Sequence, residues 1–216
     1  MKNKKPLIKS ELIRDAIALF LITLVSGLGL SYVYEITKAP IAVQAEQKTL
    51  EANRAVFAKA VSFEEDAELT ALAGNTDLTG INADYAGVTI NSISRAYNSS
   101  NEVLGFNITV STSAGYKDGI KFVYGYSEDG KINGISFLAI NETAGLGMKA
   151  QGPDFLDQFL NKQVKQFTVT KTGAVSEEQV DSISGATITS RAVTNAINAG
   201  IQFVTEHATE LGGGQE

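Results

Sequence analysis

The sequence predicts an α+β protein in which one apolar N-terminal helix precedes a domain with a mostly antiparallel sheet flanked by helices. Three observations lead to this prediction. An uncharged run of nineteen residues lies near the N-terminus, several runs with strand character follow, and an amphipathic helix comes near the C-terminus. With 44% apolar and 19% charged residues, the chain has a folding composition, which excludes wholesale disorder.

The composition also limits the chemistry that the side chains can perform. The absence of cysteine excludes disulfides, thiolate zinc sites, iron–sulfur ligation and cysteine nucleophiles. A single histidine, His207, leaves little room for a Ser–His triad or a multi-histidine metal site. We therefore expect no metal site and no catalytic side chain, so that any chemistry uses a borrowed cofactor. A net charge of −6 without a basic stripe argues against nucleic acid as a partner.

The uncharged run, Ala16–Tyr34, is long enough to cross a membrane. As a helix it would rise roughly 28 Å, which is about the thickness of a bilayer's hydrocarbon core. Five basic and two acidic side chains precede it, and basic residues stay on the cytoplasmic side. The pattern predicts a cytoplasmic segment at 1–15, a transmembrane helix at 16–34 in the lipid bilayer, and an extracytoplasmic remainder.

Two other interpretations of this run stay open. A cleaved signal peptide also begins basic and then apolar, but its apolar region is usually 7–15 residues long. The small-x-small site at Val43–Ala45 lies well beyond Tyr34, which makes cleavage a poorer explanation. A buried core helix would show a polar face, and only Thr23, Ser26 and Ser31 interrupt the run. Length and flanking charges favour the anchor.

The rest of the sequence predicts one α+β domain at 63–211. A linker helix is expected at 35–62, and the acidic stretch Phe63–Asp84 is expected to be a loop that has room for one helical turn. Alternation and a hairpin turn predict an antiparallel meander of strands. A short helix, a short strand and a long amphipathic helix should follow, with a disordered tail at 212–216. The predicted strands are Val88–Asn98, Val103–Thr112, Ile120–Ser127, Ile132–Ile140 and Gln166–Thr170, and the helices are Asp154–Leu160 and Thr189–His207.

A Ser-Gly-Ala-Thr turn stands directly before the long C-terminal helix. It comprises Ser184, Gly185, Ala186 and Thr187, with Asp181 before it and Thr189 after it. Free N–H groups and the positive end of the helix dipole suit such a place to a phosphate. Hydroxyl residues before a helix are also ordinary caps, however, and on the residues alone capping is the favoured interpretation.

The same residues resemble the attachment motif of the FMN-binding domain family, Asp-x-x-Ser/Thr-Gly-Ala-Thr/Ser. The resemblance implies that Thr187 carries FMN covalently, as a phosphoester. Residues 141–147 are similar to the family's Glu-Thr-x-Gly-Leu-Gly loop, which lies beside the flavin. The cofactor-binding residues that the resemblance implies are Thr187, Ser184, Gly185, Ala186, Asp181, Thr189, Glu142, Thr143, Gly145, Leu146 and Gly147. Glu142 could also be a loop carboxylate without a role at the flavin. For Tyr116, a place beside the flavin and simple packing against the sheet are equal alternatives.

The layout of anchor and motif is similar to that of the G subunit family of Rnf-type ferredoxin:NAD oxidoreductases. That resemblance implies an electron-transfer subunit of an ion-translocating complex in a bacterial cytoplasmic (inner) membrane. Its partners would be other membrane subunits and a flavin transferase, and it would not be catalytic alone. The C subunit family of the sodium-pumping NADH:quinone oxidoreductase is a sister alternative. A non-redox, membrane-anchored scaffold domain is the alternative from a different functional class.

Overall fold

The computed structural model describes residues 10–117 and 119–211. The predicted tail and most of the predicted cytoplasmic segment lie outside these residues. Contacts within the chain define two units. The first ends at Gln47, and the second begins at Lys48.

Helix α1 (Ser10–Val56) contains the whole uncharged run. Its most apolar eighteen-residue window has a mean hydropathy of 2.1, and no residue of that window is buried. The helix is therefore long and apolar enough to cross a membrane, and its exposure contradicts the core-helix interpretation. The helix continues through Pro40 but ends at Val56, so the expected linker helix at 35–62 is too long at its C-terminal end.

Five strands form one antiparallel sheet in which each strand pairs with its neighbours in sequence. The predicted meander is thereby confirmed, as is the α+β class, and the sheet gains one strand that the sequence analysis missed. The strands are β1 (Ser62–Glu65), β2 (Val88–Tyr97), β3 (Val103–Thr112), β4 (Ile120–Ser127) and β5 (Ile132–Ala139).

The loop predicted at Phe63–Asp84 is wrong. This segment holds β1 and two helices, α2 (Ala67–Asn75) and α3 (Leu78–Ile81), followed by a 3₁₀ turn at Ala83–Tyr85. Asp66 caps α2 by accepting from the N–H of Leu69 at 3.0 Å, and it pairs with Arg95 of β2 at 2.8 Å. The carboxylate of Asp66 therefore caps a helix and pairs with an arginine, and it is not simply a solvated loop side chain.

The C-terminal half supplies the remaining elements. After β5 come a 3₁₀ turn (Gly147–Gln151) and α4 (Pro153–Leu156), which is shorter than the predicted helix at 154–160 because the chain turns after one helical turn. The short strands β6 (Thr168–Thr170) and β7 (Gln179–Asp181) pair in parallel, and β7 was not predicted. Helix α5 (Thr187–Leu211) ends the described chain and begins two residues before the predicted start.

Helix α5 packs against one face of the sheet, where the main core lies. The hydroxyl of Tyr124 in β4 donates to the carbonyl of Ile197 at 3.0 Å, although the ring is wholly buried. Burial raises the pKa of Tyr124 well above its ordinary value, so the hydroxyl stays a donor. Gly200 lies directly beneath this hydroxyl, and a Cβ there would clash with it. The helix thus reaches the sheet only because position 200 carries no side chain.

The opposite face of the sheet receives the last turns of α1. Gly125 and Gly134 are register partners in β4 and β5. A Cβ on Gly125 would lie 2.8 Å from the ring of Phe57, and one on Gly134 would lie 2.9 Å from Cα of Val56. The paired glycines leave room for Val56 and Phe57 in a second, smaller core, which also contains Ala52, Ala96 and Val123.

We predict that Gly200→Ala lowers the free energy of unfolding by about 1–3 kcal/mol, because overpacking forces Tyr124 to move. Thermal melting of the full chain in detergent, followed by circular dichroism, measures this. Without the clash, alanine would instead stabilise the helix by up to about 1 kcal/mol. The double variant Gly200→Ala/Tyr124→Phe should lose less stability than the two single losses added together. A melting temperature that rises in Gly200→Ala would contradict the packing described here.

Candidate functional site

The turn before α5 is held by a buried hydroxyl rather than by an exposed one. Ser190, in the first turns of α5, is fully buried. Its Oγ accepts from the N–H of Ile183 at 3.0 Å and donates to the carbonyl of Ala186 at 3.0 Å. Gly185 has a φ of +76°, which glycine adopts at no steric cost. These contacts fix the turn just ahead of Thr187.

The first N–H groups of α5 have no side-chain cap. The helix begins at Thr187, and the preceding residue is Ala186, whose methyl group cannot accept a hydrogen bond. Among the described residues, no side chain accepts from the N–H groups of Thr187, Ile188 or Thr189. Ordinary capping therefore does not explain the turn, and these donors remain available to an anion.

The second motif folds as a compact loop after β5. The carbonyl of Thr143 accepts from the N–H groups of Leu146 at 3.1 Å and Met148 at 3.2 Å. Gly145 supplies a φ of +76° at the tip of this loop. The loop thereby turns the side chain of Leu146 and the backbone of Gly147 towards α5.

The two motifs are in direct contact. A Cβ on Gly147 would lie 2.6 Å from Oε2 of Glu142 and 2.7 Å from Oγ1 of Thr189. A Cβ on Gly185 would lie 3.0 Å from Cδ2 of Leu146. Both glycines are therefore needed for the close approach of the loop to the first turn of α5.

A cavity of about 390 Å³ lies where the motifs meet. Eight of the eleven predicted site residues line it. The other three, Asp181, Ser184 and Gly145, lie outside its lining; Asp181 ends β7, and its backbone N–H donates to Gln158 at 2.6 Å. The lining residues are Tyr116, Glu142, Thr143, Leu146, Gly147, Gly185, Ala186, Thr187, Ile188 and Thr189.

Glu142 is the charged side chain in this lining, and it is only 7% exposed. Its Oε1 accepts from the N–H of Lys117 at 3.2 Å. Its Oε2 is buried without a hydrogen-bond partner. A buried carboxylate oxygen without a partner is costly, so Glu142 is no solvated loop carboxylate, and Oε2 is available to a donor from a ligand.

Two cavity residues were not assigned to the site from sequence. Tyr116 is 67% exposed and lies outside the strands, so it has no part in sheet packing. Ile188 is 54% exposed in the first turn of α5. Ile188 is a branched apolar residue that lies off the apolar face predicted for the helix, and this was the signal that could have identified it. Together with Leu146, these side chains give the cavity an apolar wall.

The fold and the site together define a class of protein. The model of the FMN-binding domain family matches residues 115–202, a range that includes both motifs. In fold, the chain is similar to NqrC from Shewanella oneidensis, with a TM-score of 0.52 over 74% of this chain and 87% of that one, at 19% identity. The sequence-based resemblance to the FMN-binding domain family is thereby confirmed.

Comparison with individual relatives identifies the family more narrowly. The chain is 40% identical over 106 residues to the G subunit of the Na⁺-translocating ferredoxin:NAD⁺ oxidoreductase complex of Acetobacterium woodii, an alignment that spans 48% of this chain and 51% of that relative. It is 30% identical to the G subunit of an ion-translocating oxidoreductase complex from Shewanella piezotolerans, over 96% of this chain and 94% of that one. The chain belongs to this G subunit family.

We predict that Ser190→Ala lowers the free energy of unfolding by about 1–3 kcal/mol, because it removes both hydrogen bonds of the buried hydroxyl, including the acceptor for the half-buried N–H of Ile183. Thermal melting of the full chain measures the loss. Ser184→Ala, in the same turn but exposed, is the matched control and should stay within about 0.5 kcal/mol of the wild type. Equal melting temperatures for the two variants would show that Ser190 does not hold the turn.

Proposed function

We propose that this chain is the FMN-carrying redox subunit of a membrane-bound, ion-translocating ferredoxin:NAD oxidoreductase complex, with FMN esterified through its phosphate to Thr187. The observation that supports this most strongly is the meeting of the two motifs at one cavity. The Ser-Gly-Ala-Thr turn and the Glu-Thr-Ala-Gly-Leu-Gly loop could serve a scaffold separately, but a scaffold has no need for the cavity between them.

The residues present fit each part of FMN. A phosphate ester on Thr187 would lie at the uncapped N-terminus of α5, where N–H groups and the helix dipole favour negative charge. The flat ring system suits the apolar wall formed by Leu146 and Ile188. The unpartnered Oε2 of Glu142 is an acceptor for a donor on the flavin. Thr143 and Thr189 add hydroxyl groups to the same lining.

Attachment requires a flavin whose phosphate is already activated as a phosphoanhydride. The hydroxyl oxygen of Thr187 forms the new bond to phosphorus, the anhydride bond to the leaving phosphate breaks, and the hydroxyl proton leaves with a base. We assign that base and the donor site to a separate flavin transferase. Thr187 is half-buried and lines the cavity, which supports the proposal that a transferase can reach its side chain.

Bound FMN supplies one- and two-electron transfer, which no side chain of this composition provides. The protein's own residues bind and orient the cofactor, so the chain needs no catalytic side chain and no diffusible substrate. Electrons would pass to and from the other membrane subunits of the complex. The ester prevents loss of the cofactor from an extracytoplasmic site. FMN released there would be outside the cytoplasm and could not be recovered by it.

We predict that the full chain, co-expressed with a flavin transferase, gives a fluorescent band on a denaturing gel. Thr187→Val has the shape of threonine but no hydroxyl, so its band should be dark while its circular dichroism stays that of the wild type. Thr187→Ser should keep the fluorescence, because it keeps the nucleophile. Ser182→Ala changes a hydroxyl at a position that the attachment motif leaves open, so it is the control and should also remain fluorescent. A fluorescent Thr187→Val band would place the flavin elsewhere, and a dark wild-type band would leave the scaffold interpretation.

We also predict that the chain stays in the membrane fraction after alkaline washing, with its N-terminus intact. The reason is that α1 carries its exposed apolar side chains into the bilayer. A phosphatase fused to the C-terminus should be active, because basic residues hold the N-terminus in the cytoplasm. A soluble product shortened at its N-terminus would favour a signal peptide instead. An inactive phosphatase would indicate the opposite orientation, with the C-terminus in the cytoplasm.

A further inference from the structure

Tyr116 is the largest exposed side chain in the lining of the cavity. It lies in the connection between β3 and β4, and 67% of its surface is exposed. An aromatic ring that far from the core leaves a large apolar area in water, which normally favours burial. Leu146 and Ile188 line the same cavity and are also exposed. Together the three side chains form an exposed apolar wall of the cavity.

Glu142 holds the backbone on both sides of this ring. Its Oε1 accepts from the N–H of Lys117, directly after Tyr116. The same oxygen is so close to Gly115, directly before Tyr116, that a Cβ there would lie only 2.5 Å from it. Glu142 is itself buried and belongs to the loop that contacts α5. The position of Tyr116 thus depends on a carboxylate of the second motif.

We propose that Tyr116 is an aromatic wall of the flavin site, stacked on the ring system of the bound cofactor, and that Glu142 is the positioning residue that keeps it there. This inference rests on the proposed function, since it needs FMN in the cavity. Stacking would remove apolar surface of the tyrosine, Leu146 and Ile188 from water at the same time. It would also explain why an exposed tyrosine follows a glycine whose Cβ would displace Glu142.

The stacking has an optical consequence that does not depend on turnover. A phenol in contact with a flavin quenches the fluorescence of the excited flavin by giving it an electron, which then returns, so that nothing is consumed. Denaturation separates the two rings but leaves the phosphoester intact. The ratio of native to denatured fluorescence of the same sample therefore reports the contact, independently of how much flavin was attached.

The first test compares Tyr116→Phe, Tyr116→Ala and the wild type, each as the full chain in detergent after flavin attachment. The wild type should have a low native-to-denatured ratio, and both variants should raise it several-fold, because phenylalanine keeps the shape but is a poor electron donor. Tyr97→Phe removes a tyrosine that does not line the cavity and should match the wild type. Equal ratios in all four proteins would overturn the stacking while leaving the attached flavin in place. A dark denatured wild-type band would overturn the proposed function, and the stacking with it.

The second test concerns Glu142. Glu142→Gln keeps an oxygen that can accept from the N–H of Lys117 and should retain the low ratio. Glu142→Leu fills the same space without an acceptor and should raise the ratio towards that of Tyr116→Ala. The double variant Glu142→Leu/Tyr116→Ala should show no further rise, because both changes remove the same contact. If Glu142→Leu folds, carries flavin and stays as dim as the wild type, Glu142 does not position the ring.

Discussion

The close approach of the 142–147 loop to the first turn of α5 is the contact on which the site depends. It is possible because Gly147 has no side chain where Glu142 and Thr189 converge. Through this contact, two motifs that are forty positions apart, from Gly147 to Thr187, form one cavity. The helix contributes its N–H groups, and the loop contributes its buried carboxylate and apolar side chains.

The helix can present its N-terminus because the rest of the domain fixes it. The hydroxyl of Tyr124 ties α5 to the sheet at Ile197, and Gly200 lets the two approach. Ser190 then joins the helix to its own preceding turn. The precision of the site therefore derives from packing within the core, and the residues proposed to bind FMN need not stabilise the fold themselves.

The fold was predictable where periodicity is strong. Four strands and α5 have clear alternation or a clear apolar face, whereas α2 has only Leu69 and Ala73 on its buried side and was missed among acidic residues. Motif resemblance indicated Thr187 and the loop. The local pattern could not decide whether the Ser-Gly-Ala-Thr turn is a helix cap or an anion site. That depends on where the helix begins, and it begins at Thr187, directly after Ala186. The exposure of Tyr116 and the hydrogen bond from the N–H of Lys117 to Glu142 depend on the tertiary structure, so they could not be predicted from the spacing of residues in the sequence.

Peptide mass spectrometry of the flavin-loaded chain identifies the residue that carries the cofactor. Trypsin cuts after Lys171 and Arg191, which releases Thr187 in one peptide. If FMN is esterified to Thr187, this peptide carries the mass of FMN less one water, and fragmentation places the addition on Thr187. An unmodified peptide from a yellow protein, or an addition on Ser184 or Thr189, would contradict it.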